Sequence, residues 1–327
     1  MNDVPTSDRL IVNCLPLTAD ERRRFVEAAA GVRQEFVGDD SLRGQMAWPA
    51  GVPEGMRPHA TAVIGNVPAD SMGDYPRLEW LQTWSAGVDR YLVPGVLGDT
   101  VRVTNATGAY GQSVAEHLFA MMWSLMKNLP QYRDNQRMHE WRDAGPAMSP
   151  KGMTVVVVGT GDIGSTFATM VKGVGARTLG VRRDPNKPAA GIDSMFGFDA
   201  LDVLLTKADV VAITVPSSPR THHLFDAHRF ALLKPDAIVL NAGRGDVIDT
   251  TALHDAMGGL RGVGLDVTEP EPLPADDPLW DEPRCLITPH VAGGNHLDVT
   301  VRRIIEIALD NVANYAQGRP LHNLVRR

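Results

Sequence analysis

The chain has 327 residues, 32 basic and 39 acidic, and a net charge of −7 at neutral pH. At roughly 150 residues per domain this length suggests two domains; the acidic balance argues against nucleic acid or an anionic membrane as the main partner. A hydrophobic content of 43% supports sizeable cores, and 31 Gly with 23 Pro stay well below the roughly 25–30% share of low-complexity chains.

Cys14 and Cys285 are the only cysteines. Neither sits in a C-x-x-C pair, so no disulfide framework and no metal site is read. Both lie in apolar runs and read as buried, inert thiols. The longest apolar stretch, Leu118–Met126, is broken by Ser124 and falls far short of the roughly 20 residues of a membrane span. The N-terminus lacks a basic n-region, and Leu10–Leu17 runs into Thr18-Ala-Asp-Glu-Arg-Arg-Arg rather than a small-residue cleavage site. A soluble, cytoplasmic protein is therefore expected.

In chain order, Leu10–Leu15 reads as a buried strand. Thr18-x-x-Glu21 is a capping-box pattern opening a helix through Ala30, with Arg22, Arg23 and Arg24 on a solvated face. Ala60–Gly65 and Trp80–Trp84 are further strands between Pro/Gly-rich turns, so the first hundred residues read as a small α/β layer. Ser113-Val-Ala-Glu116 is a second capping-box pattern. Behind it Val114, Leu118, Met121, Met122 and Leu125 mark one face of a long helix, either ordinary core or a subunit interface. From Thr154 the rhythm is regular, with strands expected at Thr154–Gly159, Ala176–Val181, Asp209–Thr214, Ala237–Leu240, Gly262–Val267 and Cys285–Thr288. Six short apolar strands with crossovers imply a parallel sheet covered on both faces. Val301, Ile304, Ile305, Ala308, Val312 and Tyr315 mark a terminal amphipathic helix that can return to the first domain.

The first of these six strands runs into Gly159-Thr160-Gly161-Asp162-Ile163-Gly164, a G-x-G-x-x-G turn, and a helical pattern follows from Thr166. The first glycine permits the tight turn, the second lets backbone approach a pyrophosphate, and the third packs helix against strand. The helix N-terminus adds free N–H groups and partial positive charge. In this context the turn predicts dinucleotide binding. The next strand ends Gly180-Val181-Arg182-Arg183-Asp184. An NAD site usually places an acid there for the ribose 2′-hydroxyl. Arg182 and Arg183 instead suit a 2′-phosphate, while Asp184 offers an alternative acid two residues on. NADP is therefore the expected cofactor, with NAD possible.

Three further segments follow the carboxyl ends of strands, where open α/β sheets bind ligands. They are Asn241-Ala-Gly-Arg244-Gly, Leu265-Asp266-Val-Thr-Glu269-Pro-Glu271-Pro and Thr288-Pro-His290-Val-Ala. Together with Trp84-Ser-Ala-Gly-Val-Asp89, Ser113-Val-Ala-Glu-His117 and the Gly159 turn, they resemble the D-isomer-specific 2-hydroxyacid dehydrogenase family over almost the whole chain. The resemblance implies two doubly wound parallel-sheet α/β domains with the active site in the cleft. One is a Rossmann cofactor domain over 104–291. The other is a smaller flavodoxin-like substrate domain over 1–103, completed by the helical segment 292–327. It also implies a homodimer formed through the long helix after Ser113.

By the same resemblance Arg244 binds substrate, His290 donates the proton, and Glu271, rather than Glu269, pairs with His290. The backbone at Ala86, Gly87 and Val88 would hold the substrate carboxylate. Asp266 would contact the nicotinamide end, and Ser113, Val215, Pro216, Thr221 and Ala242 would line the cofactor. The chemistry is coherent without the name. Arg244 can bind a carboxylate and polarise the adjacent carbonyl, and protonated His290, favoured by a nearby carboxylate, can protonate the oxygen. The expectation is a reductase of small 2-oxo acids, or a dehydrogenase of D-2-hydroxy acids in reverse. Similar formate dehydrogenases pair the histidine with Gln, so Glu271 counts against that reading; the motifs leave room for a phosphorus acid substrate. The alternative is a dinucleotide-sensing co-regulator of the same fold, which would carry extra tails; none is read after the last helix.

Overall fold

Among the described residues the strands of both sheets pair in parallel, so each needs a crossover to reach its neighbour. The structure is a computed structural model and describes residues 8–326. Residues 1–7 and 327, part of the ranges expected for the first domain, lie outside them. The strands are β1 (Leu10–Asn13), β2 (Arg33–Phe36), β3 (Ala62–Ile64), β4 (Trp80–Gln82), β5 (Arg102–Thr104), β6 (Thr154–Val158), β7 (Arg177–Val181), β8 (Ser194–Phe196), β9 (Val210–Ile213), β10 (Ile238–Asn241), β11 (Gly262–Leu265) and β12 (Cys285–Ile287). The helices are α1 (Ala19–Ala28), α2 (Gly111–Met126), α3 (Leu129–Arg137), α4 (Asp162–Gly173), α5 (Leu201–Leu205), α6 (Ala227–Ala231), α7 (Thr250–Ala256) and α8 (Asp298–Ala316).

The chain divides into two units. One runs to Tyr110 and resumes at Gly294; the other is Gly111–Gly293. The sequence places these junctions at 103/104 and 291/292. Residues 105–110 stay with the first unit because their polar groups are tied into it. Asn105 donates its side-chain amide to Ala86 O (2.7 Å), Ala106 N donates to Ser85 O (3.1 Å), and the Tyr110 hydroxyl donates to Trp84 O.

The first unit carries the sheet β2-β1-β3-β4-β5, the flavodoxin-like strand order. Its core is built from Val12, Val63, Leu81 and Val103 of four neighbouring strands. Helix α1 has the expected capping box: Thr18 Oγ1 accepts from Glu21 N (3.3 Å) and Glu21 Oε2 accepts from Thr18 N (2.9 Å). The arginine face is not wholly solvated. Arg22 donates to the carbonyls of Leu17 and Gly38. Helix α8 does return to this unit. Its Val301, Ile304, Ile305, Ala308, Val312 and Tyr315 are buried, Tyr315 stacks on Trp80 with centroids 5.1 Å apart, and Asn311 donates to Gln82 Oε1 inside the unit (2.7 Å).

The second unit carries β12-β11-β10-β9-β6-β7-β8, the doubly wound order in which chains leave the first strand, β6, in opposite directions. Alternate residues of its strands face two separate cores. Val155, Val157, Val210, Ala212, Ile238 and Leu240 meet α2 and α4. Val156, Val158, Val211, Ile213 and Val239 meet α5, α6 and α7. Burial on both faces is why these strands are continuously apolar rather than alternating. Two details of the sequence reading are corrected. Helix α4 starts at Asp162, before Thr166. Helix α2 opens at Gly111, so Ser113 lies inside it and does not cap it. On its apolar face Val114, Leu118, Met121, Met122 and Leu125 are all buried, the first of the two readings above. Cys14 is buried as expected and Cys285 only partly; burial pushes the Cys14 thiol up to about 12, and burial with the charges of Glu282 and Asp277 pushes Cys285 up to about 12.

Glu21 joins the α1 cap to the following loop, where Arg43 holds both carboxylate oxygens at 2.8 Å. Burial alone would push the Glu21 carboxyl up. The hydrogen bonds from Arg43 and Thr18 and the charge of Arg43 outweigh it, so the folded-state value lies below the usual range. A lowered carboxyl contributes stability above the ordinary carboxylate range and loses it as pH falls through the folded value. Glu21→Gln should therefore cost about 1–3 kcal/mol at neutral pH, and the gap to the parent chain should close as both are melted at progressively lower pH. A gap that persists in acid would mean the pair is not its source.

Candidate functional site

The glycine-rich turn has the geometry its chemistry requires. Gly159 sits at φ +95°, and a Cβ there would meet Val215 Cγ1 at 2.9 Å. A Cβ on Gly164 would come within 1.9 Å of Gly159 O, whereas one on Gly161 would project into open space. The turn is thus packed at its first and last glycines and open at the middle one. Helix α4 begins immediately after Gly161 with no side-chain cap. Among the described residues nothing accepts from the N–H groups of Asp162, Ile163 or Gly164. These amides, at the positive end of the helix dipole and beside the switch point between β6 and β9, fit a pyrophosphate. Thr160 is buried behind them, its hydroxyl 3.6 Å from the Met195 sulfur.

At the end of β7, Arg182 folds its guanidinium onto the following turn, donating to Lys187 O (3.1 Å). Arg183 is exposed. Asp184 is engaged locally: its Oδ1 accepts from Asn186 N (3.2 Å), and Lys187 Nζ lies 4.0 Å from Oδ2. After β9, Val215 is buried against Gly159, and the Thr221 hydroxyl closes the turn by donating to Pro216 O (2.7 Å). After β10, the Asn241 side chain braces the loop that carries Ala242 and Arg244. It accepts from Gly243 N (3.0 Å) and donates to Arg244 O (2.9 Å). The Arg244 guanidinium donates to Gly243 O (2.7 Å).

The loops after β11 and β12 bring an acid and a base together. His290 Nδ1 lies 2.9 Å from Glu271 Oε1, which leaves Nε2 as the ring nitrogen for a ligand. Both side chains are roughly half exposed. Glu269 is spoken for elsewhere: its Oε2 meets His223 Nε2 at 2.9 Å, and the His222 and His223 rings stack at 4.0 Å. So of the two acids in Glu269-Pro-Glu271, the second contacts His290.

Two residues read as cofactor contacts also make hydrogen bonds within the unit. The Ser113 hydroxyl, 7% exposed, donates to Ala292 O (2.9 Å). The Asp266 carboxylate, 2% exposed, accepts from Thr288 Oγ1 (2.7 Å), Val291 N (3.0 Å) and Ala292 N (3.1 Å). Sequence reasoning did not single out Thr288 or His117 as partners in this arrangement. The spacing Ser113-x-x-x-His117 on one helix face was the available signal.

In the first unit, every carbonyl from Trp84 to Val88 accepts a hydrogen bond. Donors are the Tyr110 hydroxyl for Trp84, Ala106 N for Ser85, Asn105 Nδ2 for Ala86, the Ser85 hydroxyl for Gly87 and Tyr91 N for Val88. Among the described residues the N–H groups of Ala86, Gly87 and Val88 have no acceptor. Unpartnered amides in a run whose carbonyls are tied back have the chemistry to receive an anion.

Comparison with known proteins agrees with this geometry. Residues 119–292 match the family model described as D-isomer specific 2-hydroxyacid dehydrogenase, NAD binding domain. The chain is 31% identical over 256 residues to a glyoxylate/hydroxypyruvate reductase B from Citrobacter koseri, covering 76% of this chain and 78% of that protein. A D-isomer specific 2-hydroxyacid dehydrogenase family protein from Aeromonas salmonicida superposes with a TM-score of 0.81 at 31% identity, over 98% of this chain and 99% of that one. The D-isomer specific 2-hydroxyacid dehydrogenase from Xanthobacter autotrophicus Py2, solved with NADPH and MES, gives 0.76 at 26% identity, over 98% of each chain. With a dinucleotide turn on a doubly wound sheet and an acid paired to a histidine beyond it, the chain belongs to the D-isomer-specific 2-hydroxyacid dehydrogenase family of NAD(P)-dependent oxidoreductases.

Proposed function

We propose that this enzyme reduces a small 2-oxo acid, of the glyoxylate or hydroxypyruvate class, to the D-2-hydroxy acid with NADPH as the preferred cofactor. The contact between His290 Nδ1 and Glu271 carries the reading, because it makes the half-exposed imidazole a proton donor through Nε2. When bound, the dinucleotide supplies the hydride. The amides of Gly161–Gly164 hold its pyrophosphate, Arg182 and Arg183 its 2′-phosphate, and the segments at Val215–Pro216, Thr221 and Ala242 line the rest. Arg244 binds the carboxylate and polarises the carbonyl; the amides of Ala86, Gly87 and Val88 are the second carboxylate holder. His290 delivers its proton to the carbonyl oxygen, and Glu271 stabilises the imidazolium before that transfer. In reverse, neutral His290 takes the hydroxyl proton. Among the described residues no helix is long and apolar enough to cross a membrane. The reading includes a homodimer through the long helix α2, beyond which Leu129, Met138 and Trp141 add exposed apolar surface.

Initial rates on a panel of 2-oxo acids with both reduced cofactors test the whole reading; no turnover with any of them would end it. Arg244→Lys keeps the charge and loses the planar fork. It should lower kcat/KM about 10²–10³-fold with cofactor binding nearly intact, and unchanged turnover would remove Arg244 from the mechanism.

Glu271→Gln removes the negative charge beside the imidazole. Reduction needs the protonated ring, so the alkaline limb of the kcat/KM profile should move to lower pH by about one unit or more. A parent-like profile would point to Glu269 instead.

For the cofactor, a charge-assisted hydrogen bond is worth roughly 1.5–3 kcal/mol, about one to two powers of ten in affinity. NADPH should exceed NADH at least tenfold in kcat/KM, and Arg182→Asp should erase or invert the preference through KM for NADPH. Asp184, which accepts from Asn186 N in its own turn, is the alternative acid. Equal efficiency, or a preference for NADH, would sink the assignment.

A further inference from the structure

His290 adopts φ +51°, a left-handed backbone that an ordinary residue holds only where its surroundings enforce it. The enforcement is visible. His290 N donates to Asp266 O (2.8 Å) and to Thr288 O (2.9 Å). The Asp266 carboxylate collects the Thr288 hydroxyl and the amides of Val291 and Ala292. Two side chains from one face of α2, four residues apart, close the far side. The Ser113 hydroxyl donates to Ala292 O (2.9 Å), and His117 Nε2 lies 2.9 Å from Thr288 Oγ1. The single hydroxyl proton of Thr288 is directed at Asp266, so its oxygen accepts and His117 Nε2 must carry a proton. A directed chain results, from His117 through Thr288 to Asp266, with His117 Nε2 3.9 Å from Asp266 Oδ1.

We infer that the first turns of α2 are a clamp on the proton-donating loop: His117 and Ser113, through Thr288 and Asp266, are positioning residues for His290. Ser113 and Asp266 thereby act on the loop. The clamp sets where Nε2 stands. The inference rests on the proton-donor role proposed for His290.

His117→Leu removes the donor, and His117→Gln retains one at the Nε2 position. Thr288→Val removes the hydroxyl at nearly constant shape, and Thr288→Ser keeps it. His117→Leu and Thr288→Val should each lose about tenfold or more in kcat, with KM for the cofactor unchanged and Tm within a few degrees of the parent. Their backbone amides at 290–292 should exchange hydrogen faster. His117→Gln and Thr288→Ser should restore most of the rate. If His117→Leu does not fold, the Thr288 pair decides. An unchanged kcat in the disruptive variants, an equal loss in the conservative ones, or a loss expressed only as a raised cofactor KM overturns the clamp. Amide exchange separates this failure from failure of the function. Unchanged exchange at 290–292 overturns the clamp whatever the parent reduces. Faster exchange in a parent that reduces no 2-oxo acid supports the clamp and removes the proton-donor role.

Discussion

Parallel pairing with both faces buried is the constraint from which the rest of this molecule follows. The β6, β9 and β10 strands are lined on each side by apolar side chains that meet helices, so no polar group can be placed along them without being desolvated. Chemistry is pushed to the strand ends. Because all strands of a sheet run the same way, those ends lie along one edge, and the Gly159 turn, Arg182, Val215, Arg244, Asp266 and His290 all follow carboxyl ends of strands in the second unit.

The same constraint explains what could be read from the residues. Central strands such as Thr154–Val158 and Val210–Ile213 are legible because burial on both faces leaves an unbroken apolar run. The strands not read, β2, β5 and β8, all lie at sheet edges. Arg33–Phe36 carries charges, Arg102–Thr104 and Ser194–Phe196 are three residues long, and an edge strand needs only one buried side. The Glu271–His290 pair was legible only through family resemblance, since two acids precede it in an identical Glu-Pro setting. What separates them is tertiary: Glu269 is taken by His223. Ser113 misled for a related reason. A Ser-x-x-Glu pattern fits a helix start, but here the hydroxyl is used 179 residues away on Ala292, and no local pattern encodes that.

Asp266 shows how a buried carboxylate can be afforded within this architecture. At 2% exposure it would be costly if left alone. Instead it receives the Thr288 hydroxyl and two loop amides, all charge-assisted hydrogen bonds of the stronger kind. Its position directly after β11 fixes its backbone, so these bonds transmit the rigidity of the sheet to a loop that has no regular structure of its own. Placing a reactive side chain on a loop while holding the loop by a strand-end acid combines access with precision.

On the proposed reading, backbone and side chains divide the recognition of anions. Among the described residues the amides of Asp162, Ile163 and Gly164 and of Ala86, Gly87 and Val88 are N–H groups without an acceptor. On the proposed reading they meet the groups that every ligand of this chemistry shares, a pyrophosphate and a carboxylate. Backbone suits that task, because its geometry is set by the fold and survives side-chain substitution. On the same reading the guanidinium groups of Arg182 and Arg183 meet what distinguishes one cofactor from the other, the 2′-phosphate, while Arg244 meets the carboxylate and carbonyl that all 2-oxo acids share. Cofactor preference can therefore change by exchange of one or two side chains at the end of β7, whereas the binding of dinucleotides as a class cannot change without rebuilding the turn, where a Cβ on Gly164 would strike Gly159 O.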